Sequence, residues 1–112
     1  MRELAIIVPV NDNDGRPLDA LNHAVGVRLL HQFGGFTRVS ATGGWLNSRG
    51  KPVVEPMVVY TVASSNEEGE SRLWTIAEWI ADEAGQDAVY IRLLDGTVRL
   101  VTGSAVRRRR WA

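Results

Sequence analysis

Residues 4–10 read LAIIVPV. Short apolar runs rich in β-branched residues form strands. Alternation places Leu4, Ile6, Val8 and Val10 on one face and Ala5 and Ile7 on the other. Both faces are apolar, which is the pattern of a strand central in its sheet. Pro9 has no N–H to donate, so pairing is expected to fail on one side near the strand's end. Residues Val53 to Ala63 repeat the pattern further along. Val54, Val58, Tyr60 and Val62 form one apolar set, and Val53, Met57 and Val59 form the other.

The segments around these two strands set the layout. Asn11-Asp12-Asn13-Asp14-Gly15 is a run of turn formers. A helix is expected from Pro17 to Phe33, where Leu18, Leu21, Val25, Leu29 and Phe33 recur at spacings of three and four. Pro17 suits an early helical position, and Gly34-Gly35 a stop. Phe36 to Leu46 reads as a second strand, in which Gly43-Gly44 implies a bulge or a close approach to the backbone. Asn47 to Pro52 is a hairpin connection into the third strand, Val53 to Ala63. Ser64 to Gly69 is a polar loop. A second helix is expected from Glu70 to Ala84, with Leu73, Ile76, Ala77, Ile80, Ala81 and Ala84 on one stripe. Ala88 to Leu94 and Thr97 to Val101 are the fourth and fifth strands, joined through Asp95-Gly96.

This order predicts an α+β domain of the split βαβ, or ferredoxin-like, βαββαβ type with an extra C-terminal strand. Residues 1–103 form the single domain, and 104–112 a basic tail. Two helices can cover only one face of the antiparallel sheet, yet the central strands are apolar on both. Ile7, Met57 and Val59 would be left on the open face. A patch of that kind marks an interface. A second copy is expected to cover it, a dimer being favoured; the other expectation is that the fifth strand and the tail fold over it.

Composition narrows the function classes. The chain has 112 residues, 13 basic and 13 acidic side chains, and no cysteine. A disulfide scaffold, a thiolate metal site and a cysteine nucleophile are thereby excluded. No apolar run reaches the ~18 residues that span a membrane. The N-terminal stretch lacks the basic region and long apolar core of a signal peptide, so a cytoplasmic location is expected. Four of the basic residues are consecutive, Arg107 to Arg110. Setting them aside leaves 9 basic against 13 acidic side chains, a body near −4.

The layout resembles small ferredoxin-like bacterial domains, among them the dimeric α+β-barrel and PII-like groups. Gly43-Gly44-Trp45, the turn through Gly50, and Val54-Glu55-Pro56 before an apolar strand are also similar to a group of small uncharacterised bacterial proteins. In that group a glycine–tryptophan strand precedes a glutamate–proline strand. The likeness spans roughly residues 43–89. The PII-like resemblance implies small-ligand or nucleotide sensing in the clefts of an oligomer. The α+β-barrel resemblance implies a monooxygenase or a ligand held in a barrel.

Candidate chemistry is sparse. Aligning Gly15 with the glycine of a calcium loop puts Val10 and Leu21 at ligand positions, so Asp12 and Asp14 read as turn or cap residues. His23 and His31 are eight residues apart on one helix, about 12 Å along its axis, too far to share a metal. They read as polar-face histidines. No G-x-S-x-G elbow, dinucleotide glycine motif or Walker A lysine occurs. No metal, cofactor or catalytic residue is called for. Trp74 and Trp79 lie beside the apolar stripe of the second helix, at a core edge or facing a partner. Trp45, Glu55 and Tyr60 are the candidate ligand cleft: an aromatic, a carboxylate and a phenol near the glycine pair. The tail, Arg107, Arg108, Arg109, Arg110 and Trp111, suits nucleic acid, an acidic protein surface, or a solvated end. The expected function is a non-enzymatic binding domain acting as a homo-oligomer through its open sheet face. The alternatives are a small-ligand sensor or small enzyme at Trp45 and Glu55, and nucleic-acid binding through the tail.

Overall fold

The computed structural model describes residues 1–103. Five strands and two helices follow in the order β1 (Arg2–Pro9), α1 (Asp19–Phe33), β2 (Thr37–Leu46), β3 (Pro52–Ser64), α2 (Glu67–Ala84), β4 (Ala88–Arg92) and β5 (Val98–Thr102). The strands make one sheet in the order β2-β3-β1-β4-β5, and every neighbouring pair is antiparallel. β1 pairs with β3 along its whole length, from Arg2↔Ser64 to Pro9↔Met57. On its other side only Ala5 and Ile6 pair with β4. The β4 ladder ends at Ile6, three residues short of Pro9.

Alternation and register divide the strand residues into two sets. Leu4, Ile6 and Val8 of β1 lie opposite Val62, Tyr60 and Val58 of β3. These six pack in one cluster with Val25 and Leu29 of α1 and with Leu73, Ile76, Ala77, Ile80 and Ala81 of α2. Val89, Ile91 and Val101 extend the cluster to β4 and β5. Fully burying a Leu or Ile side chain contributes about 1.5–3 kcal/mol, so this single layer between helices and sheet holds most of the fold's favourable energy. The outer faces of the two helices are also bridged: the Arg28 guanidinium of α1 sits 3.7 Å from the ring centroid of Trp79 on α2.

Several boundaries differ from those expected. α1 starts at Asp19, not Pro17, because Pro17 forms a small antiparallel bridge with Asn11. Asp12 closes that loop: its Oδ1 accepts from the amides of Asp14 and Arg16 at 2.9 and 2.8 Å. α2 begins three residues earlier than expected, because the side chain of Asn66 accepts from the Gly69 amide as an N-cap. β4 ends at Arg92; Leu93 and Leu94 join the turn, whose Leu93 amide donates to the Thr97 carbonyl. The Gly43-Gly44 pair makes no bulge. Ten consecutive pairs run without interruption from Thr37↔Thr61 to Leu46↔Pro52. β5 lies beside β4 at the sheet edge and does not fold across the open face. The rest of that expectation concerns the tail, which lies outside the described residues.

Candidate functional site

Two features of the sheet stand unaccounted for by the core. The first is the open face. Pairings Val39↔Val59, Ile7↔Val59 and Tyr90↔Leu100 bring five residues into line, Tyr90 and Ile7 each being the next residue beyond the last β1–β4 pair, Ile6↔Ile91. The row Val39, Val59, Ile7, Tyr90 and Leu100 therefore crosses all five strands. Ile7 and Val59 are half-buried, while Val39 is 54% and Leu100 67% exposed. Met57 lies one row away, opposite Ala41. The three residues expected at an interface, Ile7, Met57 and Val59, thus share one face and lie close together. Charge on this face sits toward its ends. Glu55 is at one end, and Arg92, with Glu3 4.0 Å away, is at the other.

The second feature is the hairpin of β2 and β3. β1 pairs with β3 as far as Met57, and one further bond, from the Val10 amide to the Pro56 carbonyl at 3.3 Å, closes that side. Residues 52–55 and their partners 43–46 continue as a two-stranded arm, about 14 Å long at 3.4 Å per residue. Its turn is locked by Asn47, whose Oδ1 accepts from the amides of Arg49 and Lys51. The arm is apolar on both sides. Trp45 and Val53 face one way, with the open sheet face; Leu46 and Val54 face the other, and Val54 is 70% exposed.

Trp45 and Glu55 come together on the arm. Glu55 lies opposite Gly43, and Trp45 opposite Val53, so the two are diagonal neighbours on one face. Diagonal positions of an antiparallel pair lie roughly 7–8 Å apart, within reach of long side chains. Gly43 shows what the glycine signal meant. A Cβ there would stand 2.9 Å from Met57 Cγ and 3.9 Å from Trp45 Cζ3. Both side chains lie over the bare backbone, which is the close approach that a glycine in a strand permits. Glu55 is half-buried and has no hydrogen-bond or ion-pair partner among the described residues. The arrangement is a carboxylate beside an indole and a thioether.

Tyr60 stands apart from this group. Even-numbered residues of β3 face the helices here, and Tyr60 is 1% exposed. Its hydroxyl donates to Asn22 Oδ1 at 2.7 Å, and Asn22 Nδ2 donates to the carbonyls of Pro9 and Leu18, both at 3.1 Å. Asn22 thereby ties the end of β1, the entry to α1 and the middle of β3. Burial pushes the Tyr60 phenol pKa up, and the positive charge of Arg38 partly offsets this. Sequence reasoning missed Asn22, which reads as one more polar residue beside an apolar stripe.

Elsewhere, a cleft of about 480 Å³ lies at the start of α2, lined by Arg2, Ser65, Glu67, Glu70 and Asp95 among others. Glu70 is occupied there, accepting from the Leu94 amide. Hydrogen bonds from the Thr97 side chain and amide hold the Asp95 carboxyl below its ordinary range. His23 and His31 are exposed on α1, and Trp74 is partly exposed on α2. Among the described residues no three His, Cys, Asp or Glu side chains converge as metal ligands. No helix there is long and apolar enough to cross a membrane. Arg107 to Arg110 and Trp111 lie outside the described residues.

No family model and no curated protein matches the chain. Solved structures do. The fold resembles that of a phage SAM lyase. The structure of that enzyme in complex with S-methyl-5'-thioadenosine superposes with a TM-score of 0.71 at 17% identity, covering 90% of this chain and 88% of that one. A phage SAM lyase in the apo state gives 0.68 at 16% identity, over 91% and 89%. At this identity the likeness is one of fold.

Proposed function

We propose that the chain is a binding domain that works as a homo-oligomer, its copies meeting on the open sheet face. The apolar row of Val39, Val59, Ile7, Tyr90 and Leu100 carries this reading. A second copy would remove from water side chains that the two helices cannot reach. We also read the fold as the split βαβ, ferredoxin-like arrangement. The position of β1 between β3 and β4, with β5 added beyond β4, supports that assignment.

Sedimentation equilibrium tests the assembly. The expected result is a dimer or larger species for the natural chain and a folded monomer for Met57→Asp. Met57 is outside the helix-side core, so its circular dichroism should stay unchanged. A natural chain that remains monomeric at high concentration would sink the proposal.

A second reading is favoured by the Trp45, Glu55 and Met57 group. A half-buried carboxylate next to an indole suits a ligand that is both apolar and positive. SAM, the substrate class in the name of the structural neighbour, carries a positive sulfonium. S-methyl-5'-thioadenosine presents the same nucleoside with a neutral sulfur. In this reading the oligomer closes over the arm, and Glu55 and Trp45 receive the sulfonium. Calorimetric titration should show SAM binding at least threefold tighter than S-methyl-5'-thioadenosine. Glu55→Gln should erase the difference. If neither nucleoside binds, or both bind equally to the natural chain, the reading fails.

A further inference from the structure

A separate cavity of about 200 Å³ opens on the helix side of the sheet, between α1 and the first residues of β2. Its walls are Val27 and Leu30 of α1, Phe36, and the ring of Tyr60. Phe36 meets Tyr60 edge to face, with centroids 5.6 Å apart. That geometry fixes the floor of the slot. Gly26 completes it, since a Cβ there would come within 3.3 Å of Phe36 Cζ and the ring would have to shift. Glycine in a helix interior costs up to about 1 kcal/mol relative to alanine, a cost that here leaves room for the ring. Val27 and Leu30 are exposed although apolar.

The rim of the slot is basic. Arg38 and His23 line it, and no carboxylate does. The Arg38 guanidinium lies 5.9 Å from the Tyr60 ring centroid and has no acidic partner among the described residues. In a body with an excess of acidic side chains, an apolar slot with an unpaired guanidinium on its rim and no carboxylate is selective by sign. Guanidinium groups bind carboxylates through paired, charge-assisted hydrogen bonds. The volume lies below the roughly 300–1,000 Å³ of sites for drug-sized ligands, so one ring fits and a nucleoside does not.

We infer that this slot binds a single-ring aromatic carboxylate, the ring against Phe36 and Leu30 and the carboxylate at Arg38. The site is on the opposite side of the sheet from Trp45 and Glu55 and does not depend on the oligomer.

Benzoate is the probe, titrated into the full chain and followed by amide NMR shifts. Saturable shifts at Gly26, Phe36 and Arg38 are expected. Benzamide has the same shape without the charge and should bind at least tenfold more weakly. Arg38→Gln should reduce benzoate to the benzamide level while leaving the melting temperature of the free protein unchanged. Absence of saturable shifts at those amides overturns the inference. So does equal binding of benzoate and benzamide, or undiminished benzoate binding by Arg38→Gln.

Discussion

Tyr60→Ala is expected to lower the unfolding free energy by about 3–5 kcal/mol, the range for removing a large ring from a packed core. Tyr60 is buried between β1, α1 and Phe36, and its hydroxyl is the partner of Asn22 Oδ1. The alanine would leave both a cavity and an unpaired amide oxygen. Tyr60→Phe isolates the second contribution and should cost about 1–3 kcal/mol, the penalty for a buried polar atom without a partner. Denaturant melts of the natural chain and the two variants at pH 7 would measure both. If Tyr60→Phe is as stable as the natural chain, the Tyr60–Asn22 bond contributes nothing.

The same residue sets an alkaline limit. Burial raises the Tyr60 pKa above its ordinary value near 10.0 in the unfolded chain. Folding therefore favours the protonated phenol. Its contribution is fully present below pH 10 and is lost as pH rises through the folded-state value. Denaturant melts from pH 8 upward should show stability falling above pH 10, and this part of the fall should be absent in Tyr60→Phe.

Gly69→Ala is the second large effect. Gly69 is in the first turn of α2, and a Cβ there would collide with the side chain of Ser64 at the end of β3, 2.8 Å from its Cβ and closer to its Oγ. Ser64 is held in place by two hydrogen bonds with the Asn66 backbone. The collision cannot be relieved by a simple rotation, so a destabilisation of about 1–3 kcal/mol is expected, as for overpacking. Adding Ser64→Gly removes the colliding atoms. Relative to the Ser64→Gly single variant, Gly69→Ala should then cost little and could stabilise through helix propensity. Thermal melts of the four proteins in the cycle give the coupling directly. Additive effects would show that the two residues do not meet.

Gly69 also explains where sequence reading stopped short. The run Ser64 to Gly69 reads as a polar loop, which puts the expected start of α2 at Glu70. The packing role of Gly69 depends on Ser64 at the end of β3, whose side chain turns back onto the first turn of α2, and the spacing of apolar residues carries no sign of that contact. The interior of α2 was legible because its stripe of Leu73, Ile76, Ala77 and Ile80 is a local periodic signal. The two-faced character of β1 and β3 was legible for the same reason, and it led to the open face. What local patterns leave open is register. Alternation along β3 already sets Tyr60 on the face opposite Glu55, and only the pairing register decides which of the two Trp45 joins. The ladder puts Trp45 and Glu55 together and Tyr60 behind them. Pro17 was misplaced for a related reason: its bridge to Asn11 is a contact across a loop, and it outweighs the proline's fitness for a first helical turn.

The arm formed by residues 43–46 and 52–55 has a thermodynamic consequence of its own. A two-stranded ribbon with no third strand is marginal in water. Its amides should exchange with solvent through local fraying, at a free energy well below that of the five-stranded region. Any ligand seated on Trp45 or Glu55 must therefore select the zipped ribbon from among its frayed states, and that selection is charged against affinity. Occupancy would slow exchange at the arm long before it altered the global melting point, which makes the hairpin tip a more sensitive reporter of binding than the stability of the whole domain.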